Sequence, residues 1–456
     1  MPRRDAPALL SLALRALVSS GLIARAFGLW AVSWLAGRGW LPNDPARSEA
    51  RQIRFARRYV DAATRFRGGL IKLGQVASLR IDVMPAAVTD ELARLQDRVE
   101  PHDFAEIRAQ IEAELGAPLE TRFAAFTAEP LASASLGQVH RARTRDGRDV
   151  AVKVLYPGIE RSVAVDLAMT RVALWLFDWI AIADLMQVYR ELRESLLGEM
   201  DYLREGRAGE EIAANLARDP ELAARVRVPR VHWDLTTRRV LCMEFIEGVK
   251  INDAAAVAAL GARVPDLVLW ISRAFLHMIF RDGFFHCDPH PGNLMVTLDG
   301  RIGIVDFGMN RRIAPEVLAA VRKNVLASVW RDPDLYAASL VEAGMIGPAD
   351  IPVVKEIAQL SFDPAYYNLT PEEIMKIDFG EYFRRMRGHL KRIRSFRLPD
   401  GLVMWSRAIS LLYGLLVELA PGARPLDVLG PFVAEFLQGG PPAASNIGVS
   451  PPSNSV

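Results

Sequence analysis

The chain has 456 residues, 51% hydrophobic and 24% charged, enough apolar material for one large core and, at this length, two lobes with extensions. Fifty-six lysines and arginines face 54 acids, a formal charge of +2, which gives no global attraction to nucleic acid and sets that class of partner aside. Cys242 and Cys287 sit in apolar runs without disulfide-like spacing, so a reducing cytoplasm and no disulfide are expected.

In chain order, the first 45 residues are arginine-rich and apolar. Arg15, Arg25 and Arg38 interrupt the stretch from Ala8 to Trp40, no clean cleavage site follows, and the longest uncharged run, Ala26 to Gly37, is short of the roughly 20 residues a membrane helix needs. The expectation is no transmembrane helix. Leu29, Trp30 and Trp34 suit an interfacial helix, and equally a helix packed on the protein's own surface. Residues 46–120 read as a helical extension broken at Pro85 and Pro101. Residues 121–248 hold strands, with VHRART and DVAVKVLY joined by a turn at RDG and RVLCMEF further on, around a long helical stretch from Val163 to Ala217. Residues 249–438 are mostly helical, interrupted by LMVT and IGIVDF about an Asp299-Gly300 turn. Residues 439–456, rich in Pro, Ser, Asn and Gly, read as a disordered tail. A second acid-free basic cluster, Arg384 to Arg397, is either a contact for anionic lipid or a solvated helix face.

The chemistry concentrates in HCDPHPGN (His286 to Asn293) and IVDFG (Ile304 to Gly308), on either side of the predicted hairpin. Phosphoryl transfer needs one carboxylate near the attacking group and oxygen ligands that hold Mg²⁺ against phosphates. Asp288 and Asn293 keep the H-x-D-x-x-x-x-N spacing of a kinase catalytic loop, and Asp306 opens a DFG that completes the metal set. Upstream, Lys153 lies mid-strand in VAVKV, where an uncompensated ammonium is costly to bury. Nucleotide phosphates and a helix glutamate would supply the anions. In GEMDYLRE, read as one helix, Asp201 and Glu205 share a face while Glu199 points elsewhere, and Glu205 is the favoured partner of Lys153. APE at Ala314 to Glu316 follows DFG too closely for an activation segment, so Pro315 reads as a helix start and no conventional peptide substrate is expected.

Four further features, KLGQ (Lys72 to Gln75), ASASLGQVH (Ala132 to His140), EMD (Glu199 to Asp201) and HPGN, make the chain resemble the UbiB/AarF family of atypical, protein-kinase-like proteins linked to ubiquinone biosynthesis, from about Arg65 to Leu429. The resemblance implies an α+β, bilobal protein-kinase-like fold whose N-terminal helical extension covers an active site, with a mostly helical C-terminal lobe. It implies that Lys72 pairs with Glu199 or Asp201 and that Gln75 lies near the nucleotide. Gln96 and Asp97 of LQDRVEP belong to the same covering element, or simply to a helix C-terminus. Ala132, Ser133, Ala134 and Ser135 would cover the phosphates in place of glycines, and Glu244 joins the nucleotide-binding set. Ser133, Leu136 and Gly137 depart from the family's usual residues. The implied cofactors are ATP or ADP and Mg²⁺, bound between the lobes. The implied partners are an anionic membrane surface and quinone-biosynthesis proteins. Two functions stay open: transfer of the γ-phosphate to water or a lipid-derived acceptor, with Asp288, Lys153 and Lys72 as catalytic residues, or a nucleotide-gated scaffold.

Overall fold

The structure, a computed structural model, describes residues 6–38, 44–66, 68–78, 86–93, 101–178, 185–363, 392–397 and 401–420, with isolated positions between these stretches. Gln96, Asp97, the tail 439–456 and most of 384–391 lie outside the described residues, as does the side chain of Gln75. The chain forms two compact units, Met1–Gly206 with Arg230–Phe245, and Arg207–Pro229 with Ile246–Val456.

The first unit opens with α1 (Ala6–Gly37), α2 (Pro45–Phe66), α3 (Gly69–Ser78) and α4 (Ala86–Ala93). Small residues let α2 and α3 approach: a Cβ on Gly74 would overlap Leu95 and come within 2.9 Å of the Tyr59 ring, so the glycine of KLGQ serves packing. Next come α5 (Phe104–Leu115), capped by Asp103 and ended by Gly116 at φ 63°, and α6 (Leu119–Arg122). The sheet follows, built from β1 (Phe123–Phe126), β2 (Ala132–Ser133), β3 (Gly137–Thr144), β4 (Asp149–Leu155) and, after the helices, β6 (Val240–Glu244). Its order is β1-β3-β4-β6, all antiparallel, with β2 pairing β3. β4 is central and buried on both faces, which is why it reads as a continuous apolar run; Val152, Val154 and Leu155 are inaccessible.

The long helical stretch is three helices: α7 (Ile159–Asp178), α8 (Leu185–Glu199) and α9 (Tyr202–Leu216), the units dividing within α9. This corrects the single-helix reading of GEMDYLRE. Glu199 ends α8, and Asp201 caps α9 by accepting from the Arg204 N–H at 3.3 Å.

The N-terminal segment meets a criterion that the count of uncharged runs does not. Within α1 the stretch 11–33 is long and apolar enough to cross a membrane by length and composition; 17% of it is buried. Counting uncharged runs stops at each arginine, whereas an average over the helix tolerates two. One of these, Arg15, is 4% exposed and bound to Asp166 of α7 through Nε at 2.6 Å and through Nη2.

The second unit contains α10 (Pro220–Arg225), β5 (Val226–Arg227), β7 (Gly248–Lys250), α11 (Ala254–Ala259), α12 (Val264–Leu276), β8 (Phe284–His286), β9 (Leu294–Thr297), β10 (Ile302–Ile304) and β11 (Asn310–Arg312). Its helices continue with α13 (Pro315–Trp330), α14 (Pro333–Glu342), α15 (Ile351–Ser361) and α16 (Leu402–Leu419). β5-β10-β9-β7 form one sheet and β11-β8 a two-stranded ribbon. Phe275, Ile279, Phe285, Leu294, Ile304 and Leu412 centre its core. Pro315 occupies the first turn of α13, as APE suggested. Residues 393–397 of the basic cluster carry no helix; Asp350 accepts from the backbone of Arg394 and Ser395, and Arg392 pairs with Glu356 at 2.6 Å.

Candidate active site

In the first unit, pairing of β4 between β3 and β6 fixes Lys153 opposite Val139 and Leu241. Its Nζ donates to both carboxylate oxygens of Glu205, at 2.7 and 3.0 Å, and lies 5.3 Å from the centre of the Tyr202 ring. Lys153 is 9% and Glu205 3% exposed, so the ammonium is neutralised inside the fold. Lys72 of α3 pairs with Glu199 at 2.8 Å, both side chains nearly buried, and Glu199 also accepts from Ser195 at 3.4 Å. Of the two partners left open for Lys72, Glu199 is the one it contacts. Asp201 caps its helix and faces Arg238 at 3.6 Å.

The ASASLGQ segment is a tight turn on β3, with Ala132 opposite Val139 and Ser133 opposite Gln138. The Ala134 N–H is committed to the Gly137 carbonyl at 2.8 Å. Ser135 is buried. A Cβ on Gly137 would overlap the Val154 carbonyl and sit 2.6 Å from the Tyr202 hydroxyl, so here glycine is dictated by the approach of β4 and α9. Glu244, at the end of β6, accepts from the Arg230 N–H at 3.3 Å.

In the second unit the ribbon and the sheet hold the acids. Cys287 N–H donates to the Met309 carbonyl and Val305 N–H to the Asn293 carbonyl, tying the two motifs together. The Asp288 N–H donates to Nδ1 of buried His286, whose ring packs 5.7 Å from that of Phe307. Asn293 Nδ2 donates to the Asp288 carbonyl at 3.0 Å and to its carboxylate at 3.3 Å. Asp306 accepts from the Gly308 N–H at 2.9 Å. Asp288, Asn293 and Asp306 are all half-buried, so their oxygens can reach a ligand. Burial pushes the Cys287 thiol up to about 12, which removes it as a nucleophile beside Asp288.

Arg407 of α16, a residue that none of the sequence motifs includes, donates to Asp288 at 3.0 Å. The signal was there: Arg407 is the only cation in LVMWSRAISLLYGLLVEL, and a partly buried cation on an apolar helix needs an acid.

The donor set suits Mg²⁺. Among the described residues no cluster of three His, Cys, Asp or Glu could bind a metal by itself. Asn293 Oδ1 and the Asp306 carboxylate are two hard oxygen donors, the number Mg²⁺ commonly takes from protein when phosphates and water complete its shell.

Comparison with known proteins gives the family. Residues 94–340 match the model of the ABC1 atypical kinase-like domain, and the chain belongs to that family, the UbiB/AarF group of atypical kinases, with its α+β kinase-like fold. It is 31% identical over 434 residues to the probable protein kinase UbiB of Azotobacter vinelandii, covering 90% of this chain and 75% of that one. An uncharacterized Synechocystis protein is 32% identical, over 90% of this chain and 58% of its own length, and the chloroplastic ACTIVITY OF BC1 COMPLEX KINASE 7 of Arabidopsis thaliana 34%, over 80% and 52%. The chain therefore spans little more than half the length of several curated relatives it matches. Among solved structures, Rv3197 of Mycobacterium tuberculosis in complex with erythromycin aligns with TM-score 0.54 and 26% identity, over 81% of this chain and 92% of that one.

Proposed function

We propose that this chain is an ATP- and Mg²⁺-binding atypical kinase or ATPase of the UbiB type that supports isoprenoid-quinone biosynthesis or lipid handling at a membrane surface. The observation that carries the reading is the buried, bidentate Lys153–Glu205 pair. Such a pair is weak as a stabilising device, but it holds a cation ready for phosphate oxygens. Lys153 then donates to the nucleotide's phosphates while Glu205 fixes its position. Asn293 and Asp306 hold Mg²⁺, which neutralises charge developing on the transferred phosphoryl group. Asp288 orients the attacking oxygen and accepts its proton. Lys72, set by Glu199, belongs to the covering helix, with Gln75 beside the nucleotide. The covering loop 132–135 and Glu244 complete the nucleotide contacts. The protein works at the cytoplasmic face of a membrane, with quinone-biosynthesis proteins and anionic lipid as partners.

A scaffold gated by nucleotide is the second reading, favoured by one contact. Arg407 occupies Asp288 Oδ1, where a substrate hydroxyl would bind, and so holds back transfer. The deciding experiment is Mg²⁺-dependent ATP turnover, with and without anionic liposomes and a phenol-headed isoprenoid, beside Lys153→Ala and Asp306→Asn. Turnover that rises with lipid and is lost in both variants supports the enzyme. Binding without turnover supports the scaffold, and unchanged nucleotide affinity in both variants overturns the site.

A further inference from the structure

Helix α7 is used on two faces. One takes α1: Asp166 pairs with Arg15, and Met169 Sδ lies 3.7 Å from the Ser20 hydroxyl. The other, Ala164, Leu167, Ala168, Arg171, Val172 and Trp175, runs at i, i+3, i+4, i+7, i+8 and i+11 and lines an open cavity of about 1220 Å³. Tyr189, Arg193 and Leu197 of α8, at i, i+4 and i+8, line it as well. Stripes of this kind usually close on a partner. Here Val172, Trp175 and Leu197 remain 46%, 67% and 39% exposed.

The charge around this apolar floor is unbalanced. Four arginines and two glutamates line the cavity, and both glutamates are engaged by one arginine, Arg239, while Arg238 faces Asp201. Arg171 and Arg193 make no ion pair or side-chain hydrogen bond among the described residues. Two free guanidiniums above exposed aliphatic and aromatic surface fit an acidic head and a hydrocarbon tail in one molecule. The volume exceeds the roughly 300–1,000 Å³ of pockets for drug-sized ligands. The neighbouring face of α7 also seats α1, the helix of membrane-spanning length, so a bilayer holding α1 would present its lipids near this wall. We propose that the α7–α8 cavity binds an anionic phospholipid, its phosphate on Arg171 and Arg193 and an acyl chain along Leu167, Val172, Trp175 and Leu197. This site deepens the anionic-lipid part of the function proposed above and rests on it, but none of these residues serves the nucleotide or metal there, so loss of lipid binding with ATP affinity kept would separate the two.

The test uses the full chain and monomeric lysophosphatidylglycerol, with lysophosphatidylcholine and inorganic phosphate as the comparison probes. The anionic lipid should bind at least tenfold more tightly than either. Arg171→Gln with Arg193→Gln should remove that preference while ATP affinity and the unfolding transition stay at wild-type values. Ala168→Trp, which fills the cavity, should abolish lipid binding. If that variant unfolds, a brominated acyl chain decides: its quenching of tryptophan emission should fall in Trp175→Phe. Equal affinity for the zwitterionic lipid, phosphate competing at the lipid's own concentration, wild-type binding by the double glutamine variant, or quenching unchanged in Trp175→Phe would each overturn the proposal.

Discussion

Lys153 and Asp306 carry opposite charges and are held in opposite ways. The lysine sits in the middle of a strand buried on both faces, and its charge is cancelled by Glu205 before any ligand arrives. The aspartate follows a strand end, is half-buried, and accepts a backbone N–H from its own DFG turn. A cation inside a sheet must be paired to be tolerated at all, whereas a carboxylate at the rim of one can keep coordination capacity for a ligand. Loss of the lysine's partner should therefore show first in stability and loss of the aspartate in ligand binding, and substitutions should separate the two.

The largest effect is expected at Glu205. Changing it to Ala takes the bidentate carboxylate away from a buried ammonium and should cost about 3–5 kcal/mol of the first unit's stability, read by chemical denaturation; a loss below 1 kcal/mol would mean that Lys153 is neutralised by water or another group. Asp306→Asn should do the reverse, lowering Mg²⁺-dependent turnover by about 100-fold, about 2.7 kcal/mol in barrier height, with its melting temperature held. Equal losses of stability from both variants would erase the distinction. Gly137→Ala pushes a methyl group into the Val154 carbonyl and the Tyr202 hydroxyl and should destabilise by about 1–3 kcal/mol.

The smallest effect tests buried charge in the second unit away from the site. Asp282 is raised to about 6 by burial, and His277, 3.7 Å away, is lowered to about 4, also by burial. For Asp282 the native state binds more protons than the unfolded chain between about pH 4 and 6, so its carboxylate lowers stability above that window and the deficit disappears as pH falls through it. Neutral His277 acts in the opposite sense, losing stability as pH falls from about 6.5 to 4. Asp282→Asn should thus gain about 1–2 kcal/mol at pH 7 and nothing at pH 4, measured by thermal unfolding at both pH values.

Part of this was legible in residue types and spacing. VAVKV demanded an acid for Lys153, and the order of HCDPHPGN and DFG around a hairpin placed Asp288, Asn293 and Asp306 in one neighbourhood, because turn chemistry and strand alternation are local. The expectation that Glu205 pairs with Lys153 assumes a continuous helix, and the helix is interrupted between Glu199 and Tyr202. The pairing is made, but the break between α8 and α9 is what separates the roles of Glu199, Asp201 and Glu205. Helical periodicity cannot see such a break when apolar spacing continues on both sides of it.

What the sequence determined by itself was the inventory: the kinase-like order of lysine, catalytic loop and DFG, the helical extension, and the family. What only the tertiary structure decided was who answers whom. Arg407 reaches Asp288 across 119 residues and Arg15 reaches Asp166 across 151, while Gly74 and Gly137 are dictated by side chains and carbonyls from other elements. The same division explains the α7–α8 cavity, since the helical stripes are visible in sequence but the gap left between them is not. Local propensity depends on neighbours in the chain, whereas neutralising a buried charge or fitting a methyl group depends on neighbours in space.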